Sequence, residues 1–303
     1  MLYIVSTALK LGFMYSLVPM ALFLSYRILN IADLTTDGCF VFGMAVSVAV
    51  AGTGHPFLAI PAAMLAGAAA GFVTAFLQTR MGVPSILAGI ITNTGLYTVN
   101  LMTMGWSSSI NLIKQSTIFT IVKATGIFGD WYDVVIGAAF AVAAALALYW
   151  FLGTKLGLSI RATGDNHDMV KASSVNPALT ITVGLCVSNS LTALSGAIVG
   201  QMQKSADINA GSSIVVIGLA CLIIGETLVG RKGMLRGVIS VIVGSIVYRF
   251  IYSIVLKTQI VPIECLKLVT AIIVALAIAM PALKEYFGLK KKMLAASAQR
   301  KGK

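Results

Sequence analysis

The sequence predicts an all-α, polytopic integral membrane protein, on three observations. Of its 303 residues, 58% are hydrophobic and only 11% are charged, where soluble domains carry about 25% charged residues. Apolar runs of roughly 20 residues recur along the chain, the length a helix needs to cross ~30 Å of hydrocarbon. Strand-length segments of alternating polarity are absent, which argues against an outer-membrane barrel.

Taken in order, the chain offers about nine spans. The first runs from about Leu9 to Tyr26. A polar break, Asn30 to Gly38, precedes the second, which ends near Ala51. Gly52-Thr53-Gly54-His55-Pro56 is a turn, and His55 has no partners that would make it a metal ligand or proton carrier. The third span ends near Gln78, and the fourth, Ser85 to Met104, holds Asn93 and Asn100. Gly105 to Asp130 is amphiphilic and extramembrane in character. The fifth span, Trp131 to Leu152, has aromatic anchors at both ends: Trp131 and Tyr132, then Tyr149 and Trp150. The sixth, Ala178 to Gly200, contains Ser188, Asn189, Ser190 and Ser195. A polar segment, Gln201 to Ser213, carries Asp207 and Asn209. The seventh span ends near Val229 with Glu226, the eighth near Leu256, and the ninth covers Pro262 to Ala282. The membrane part is thus 1–283, followed by a basic tail over 284–303.

The longest strongly polar passage between apolar runs is Lys155 to Pro177, within a loop over 153–177. Asp165 or Asn166 can cap a short helix, and Asp168 suits its first turn. By spacing alone this is either a solvated loop or a helix on the membrane surface that offers a small apolar face, Met169, Val170 and Ala172, to something outside the bilayer.

The net charge of +12 does not call for nucleic acid, because the basic residues cluster between apolar runs and in the tail, as cytoplasmic flanks do. Alternate loops hold Arg27, Arg80, Lys155, Arg161, Lys171, Arg231, Lys232 and Arg236; the opposite loops hold only Lys114, Lys123, Lys204 and Lys257. That bias puts the N-terminus outside and the central loop and tail in the cytosol, with Lys10 reaching the outer interface. No cleavable signal peptide is expected. Cys39, Cys186, Cys221 and Cys265 form no C-x-x-C pair, so neither a disulfide framework nor a zinc site is indicated.

Ile31-Ala32-Asp33-Leu34 after the first span echoes Ser205-Ala206-Asp207-Ile208 after the sixth. The two spans run in opposite directions, so spans 1–4 and 6–9 read as an inverted repeat, whose matched polar breaks point to a substrate path. Polar groups inside a membrane usually face a bundle interior or cavity. Asn93 and Asn189 are either interhelical hydrogen-bonding groups or pore lining, and Asp33 and Asp37 either interface and cap residues or part of a path. Glu226 is expected to pair locally with Arg231 and Lys232, and Arg249 with Glu264, beside Lys267. The spans offer no convincing midplane carboxylate. No G-x-x-x-x-G-K-[ST], H-E-x-x-H or G-x-S-x-G occurs, so the chain is not expected to hydrolyse ATP or to be an intramembrane enzyme.

Three passages carry a family resemblance. They are Leu11 to Leu17 with Arg27-Ile28-Leu29-Asn30 and Asp37-Gly38; the cytosolic Gly157-x-x-x-Arg161-Ala162-Thr163-Gly164-Asp165-Asn166; and Leu185 to Gly196 with Ile223-Ile224-Gly225-Glu226. Together they resemble the permease subunit of bacterial ABC importers of the branched-chain amino-acid type. The likeness extends to the subgroup assigned to aromatic amino acids such as tryptophan or tyrosine. One departure is Ser174-Val175-Asn176, where the family more often has glycine-isoleucine-asparagine. The resemblance implies a multi-pass protein of the bacterial cytoplasmic (inner) membrane, working as a homodimer with a dimer of cytosolic ATPase subunits and an extracytoplasmic binding protein. No cofactor or metal would be bound by this chain; ATP and Mg would be used by the ATPase. Arg161, Gly164, Asp165, Asn166, Met169, Val170 and Ala172 would form the coupling element. Thr35, Thr36, Asp37, Asn93, Ser188, Asn189 and Asn209 would line the path for a small solute, an amino acid of aromatic or branched-chain type. The other function class is a secondary transporter or channel for a small polar solute.

Overall fold

The computed structural model describes residues 2–258 except 113–114, 125, 127–128, 174 and 231–232, together with 268, 271–272, 274–275 and 279. The first apolar run forms α1 (Leu2–Tyr15) and α2 (Leu17–Leu22), continued by a π-helical turn, Phe23–Ile28. Next come α3 (Thr36–Gly52), α4 (Ala59–Thr79) and α5 (Ser85–Thr103). A short strand β1 (Ser109–Asn111), α6 (Ile118–Ala124) and a 3-10 turn at Gly129–Trp131 lead into α7 (Tyr132–Gly153). Two short helices, α8 (Lys155–Asp165) and α9 (His167–Ala172), precede the long α10 (Pro177–Gln203). The described chain then runs through β2 (Ser205–Asp207), a 3-10 turn at Ile208–Gly211, α11 (Ile214–Val229) and α12 (Met234–Thr258).

Among the described residues, six helical segments are long and apolar enough to cross a membrane: Val5–Ile28, Ala59–Thr79, Tyr132–Gly153, Pro177–Gln203, Ile208–Val229 and Met234–Val255. Helix α3 falls short at 17 residues because it begins inside the bundle. Helix α5, with 19 residues, carries Thr92, Asn93, Thr94 and Asn100, which lower its hydropathy. The expected ninth span lies outside the described residues but for a few positions, and the basic tail lies wholly outside them. Among the described residues the all-α expectation has one exception. Strands β1 and β2 pair antiparallel, Ser109 opposite Asp207, and at three residues each they are too short to leave an alternating pattern.

Helix α10 is the axis. Every residue from Leu191 to Gln201 is buried, as expected of a helix enclosed by others on all sides. Its hydroxyls fix its neighbours: Ser188 Oγ donates to Ala21 O (2.9 Å) and Ser195 Oγ to Met14 O (2.8 Å), so the first helix runs antiparallel to it. Such bonds contribute roughly 0.6–1 kcal/mol each in membranes. Cys39 Sγ donates to Asn189 O (3.2 Å) and Ser47 Oγ to Ala197 O (3.3 Å), so α3 runs parallel to α10. Helix α12 is tied antiparallel to α1 by Ser245 Oγ donating to Gly12 O (2.8 Å). Lys10, expected at the interface, meets Asp133 of α7 at 3.5 Å. Arg249 stacks on the Tyr15 ring, 3.7 Å from its centroid; its expected partner Glu264 lies outside the described residues. The bundle therefore has two distinct ends. One carries the β1–β2 pair, where buried Gln201 bonds Pro56 O (2.9 Å) and Ile118 N (3.1 Å). The other, the basic end, carries α8 and α9.

A polar mid-bundle cavity and the loop at the basic end

After the π-helical turn the chain does not leave the bundle. Asn30 takes a left-handed conformation, φ 56, and residues 31–35 climb back along α10. Asp33, 3% exposed, accepts Thr35 N–H (2.9 Å) at Oδ1 and the Asn189 amide (2.7 Å) at Oδ2. Thr35 and Thr74 share a hydroxyl bond of 2.8 Å. Asn189 sits near the middle of α10, so α3 begins at mid-depth. The second polar break does the mirror task. From Lys204, left-handed at φ 54, the chain turns in from the strand-bearing end, and Asp207 Oδ1 accepts Asn209 N–H (2.7 Å). Helix α11 then begins beside α3: Asp37 Oδ1 accepts Val215 N–H (2.8 Å). Gly211 lies so close to the Asp37 carbonyl that a Cβ there would collide with it. The sequence reading that found no midplane carboxylate is corrected here. Asp33 and Asp37 both lie at mid-depth, because the chain re-enters instead of ending at an interface.

Where α3 and α11 begin, a cavity of about 370 Å³ opens, lined by Asp37, Gly38, Asn93, Thr94, Tyr97, Asn100, Asn209 and Ser212 among others. Asn93, Tyr97 and Asn100 share one face of α5 at helical spacing. Asn100 Nδ2 donates to Gly38 O (3.2 Å), while its Oδ1 is buried without a partner. Of the path residues expected from sequence, the structure brings Asp37, Asn93 and Asn209 to this cavity. Thr35, Thr36, Ser188 and Asn189 are buried; Thr35, Ser188 and Asn189 bond neighbouring elements, while Thr36 Oγ1 donates locally to Asp33 O (3.2 Å). Tyr97, Thr94 and Ser212 were missed; the legible signal for Tyr97 was its place one turn from Asn93.

At the basic end, caps define the short helices. Thr154 Oγ1 accepts Gly157 N–H (3.2 Å), and Asn166 Oδ1 accepts the N–H groups of Asp168 (3.1 Å) and Met169 (3.0 Å). Asn176 caps α10, with Pro177 in its first turn. Thr163 and Thr180 share a hydroxyl bond of 2.8 Å. A Cβ on Gly164 would strike the Ile28 carbonyl, so α8 lies directly against the π-helical turn. Met169 and Ala172 are exposed, whereas Val170 is buried against the bundle. Arg161 and Asp165 line a second cavity, of about 390 Å³, with Arg27 and Glu226. Arg27 Nε lies 3.1 Å from Glu226 Oε1. The local partners expected for Glu226, Arg231 and Lys232, are outside the described residues. Arg27 reaches Glu226 because α11 descends alongside α2.

Helices that begin at mid-depth and meet at a polar cavity are the build of a membrane transport protein. The chain belongs to the family described as branched-chain amino acid transport system / permease component, matched over residues 4–280. It is a multi-pass inner-membrane protein and a permease component, not a catalytic subunit. It is 31% identical over 260 residues to the tyrosine transport system permease protein of Clostridioides difficile, covering 86% of this chain and 85% of that one. It is 31% identical over 280 residues to an uncharacterized protein of Rickettsia prowazekii, covering 91% and 96%. A ribose import permease protein of Haemophilus influenzae is 26% identical over 197 residues, covering 64% and 59%. No solved structure matches the chain.

Proposed function

We propose that this chain is the membrane subunit of an ATP-binding-cassette importer for an amino acid of aromatic or branched-chain type. It works as a homodimer, receives its solute from an extracytoplasmic binding protein and is driven by a cytosolic ATPase dimer that binds ATP and Mg. In this reading about nine spans form an inverted repeat. The opposite directions of α1 and α10, and of α3 and α11, support it, as do the matched breaks before α3 and α11. The basic end faces the cytosol. The exposed apolar face of α5, with Ile86, Ile90 and Tyr97, borders the path that two copies enclose, and the mid-bundle cavity is a station on it.

The single observation that carries the coupling role is α8 seated on the π-helical turn at Gly164, so that a push on α9 reaches the first helix and the Arg27–Glu226 pair. Arg161, Asp165 and Asn166 brace the loop, and Met169 and Ala172 meet the ATPase. Ala172→Glu places a carboxylate in that contact, a penalty of several kcal/mol if fully desolvated. The variant is expected to insert normally but to lose the ATPase on co-purification, or to retain it without solute-stimulated hydrolysis. Unaltered retention, transport and ATP turnover would remove the loop from the mechanism. The mid-depth Asp37 also suits a secondary transporter. Uptake into proteoliposomes that needs an ion gradient and no ATP would select that reading.

A further inference from the structure

Among the described residues that line the mid-bundle cavity, Asp37 alone is charged. Two helix N-termini converge there, and bare N-termini attract anions. Both, however, are already met by the chain's own carboxylates: Asp33 accepts Thr35 N–H at the start of α3, and Asp37 accepts Val215 N–H at the start of α11. The helix end offers roughly half a positive charge, which does not cancel a full carboxylate. The cavity wall therefore has negative character. A second, independent feature points the same way. Asn100, 2% exposed, keeps its Nδ2 on Gly38 O, next in sequence to Asp37, and leaves Oδ1 without a partner. A buried acceptor left unmade is costly, and a ligand group rich in donors would satisfy it.

We propose that this cavity recognises the primary ammonium group of its solute, with Asp37 as the counter-charge and Asn100 Oδ1 as a neutral acceptor. An ammonium carries three N–H donors and no acceptor, which matches a carboxylate beside an amide oxygen. The remaining lining groups, Asn93, Thr94 and Asn209, supply uncharged donors for the rest of the molecule. The inference rests on the amino-acid permease reading and adds which end of the solute the membrane subunit holds.

The test uses Tyr97→Cys, at an exposed position of the cavity wall, in the complete transporter with Cys39, Cys186, Cys221 and Cys265 replaced by alanine. Maleimide labelling is timed with tyramine, L-tyrosine or 3-(4-hydroxyphenyl)propionate present. The two amines are expected to slow labelling at least threefold and the acid not at all. Equal protection by the acid, or none by either amine, overturns the proposal. In parallel, Asp37→Asn keeps an oxygen for Val215 N–H but removes the charge. Uptake of L-tyrosine is expected to fall at least tenfold and to return in part with Asp37→Glu; uptake within twofold of wild type also overturns it. If the wild-type complex takes up no amino acid, the permease reading fails by itself, and the labelling series still decides ammonium recognition.

Discussion

Asp33 and Asp37 are one turn apart and use the same device, a carboxylate at the start of a helix that begins at mid-depth, yet their surroundings differ. Asp33 is closed over: Asn189 reaches from α10 to its Oδ2, and Thr35 and Thr74 bond beneath it. Asp37 caps a helix other than its own, and its remaining surface borders the cavity between α5 and residues 208–212. A cap that is sealed by a second helix is structural. One that is left half-open keeps a charge where a solute can meet it. Local chemistry is common to both, so the role is decided by the neighbour.

The sharpest way to break that contrast is Asp33→Ala. It leaves the Thr35 N–H and one of the two Asn189 amide N–H groups unpaired in the interior, the other keeping Leu185 O (3.1 Å), and bonds to a charged group are worth roughly 1.5–3 kcal/mol each. A loss of about 3 kcal/mol is expected, read as a large drop in the thermal midpoint of the detergent-solubilised protein. Asp33→Asn should recover most of it, because Asn189 can turn its unpartnered Oδ1 toward the new amide. Should Asp33→Ala melt with wild type, the sealed cap is not structural.

Asp37→Ala is expected to act the other way round. Losing a cap costs about 1 kcal/mol, so the melting shift is the smaller of the two, while L-tyrosine uptake falls far more than the shift accounts for. Comparable melting losses at both positions would erase the distinction.

Much of this fold could be read from the chain. Runs of apolar residues marked the helices, Asp165-Asn166 marked the cap of the short helix and Pro177 the start of the run that follows, and the two polar breaks marked where α3 and α11 begin. What hydropathy cannot report is which way the chain goes after a break. A polar stretch that leaves the bilayer and one that re-enters the bundle look alike, and so Asp33 and Asp37 read either as interface and cap residues or as part of a path, with no depth assigned to them. Partners distant in sequence were equally hidden: Arg27 for Glu226, Asn189 for Asp33, Gln201 for Pro56 O. The inward turn of Val170 depends on what α9 lies against, which spacing over six residues does not state.

The smallest effect tests the open side of the contrast at a neutral group. Asn209 lines the cavity, and it holds the re-entrant segment through its main chain, whose N–H bonds Asp207 Oδ1. Asn209→Ala keeps that bond and removes only the side-chain amide. Stability should stay within about 0.5 kcal/mol of wild type, as for exposed sites generally. One neutral hydrogen bond to the solute is worth about 0.5–1 kcal/mol, so uptake at subsaturating solute should fall by roughly two- to fivefold. An unchanged rate would place the solute away from the 208–212 side of the cavity and against α5. A melting loss near that of Asp33→Ala would mean that the second break is sealed as tightly as the first.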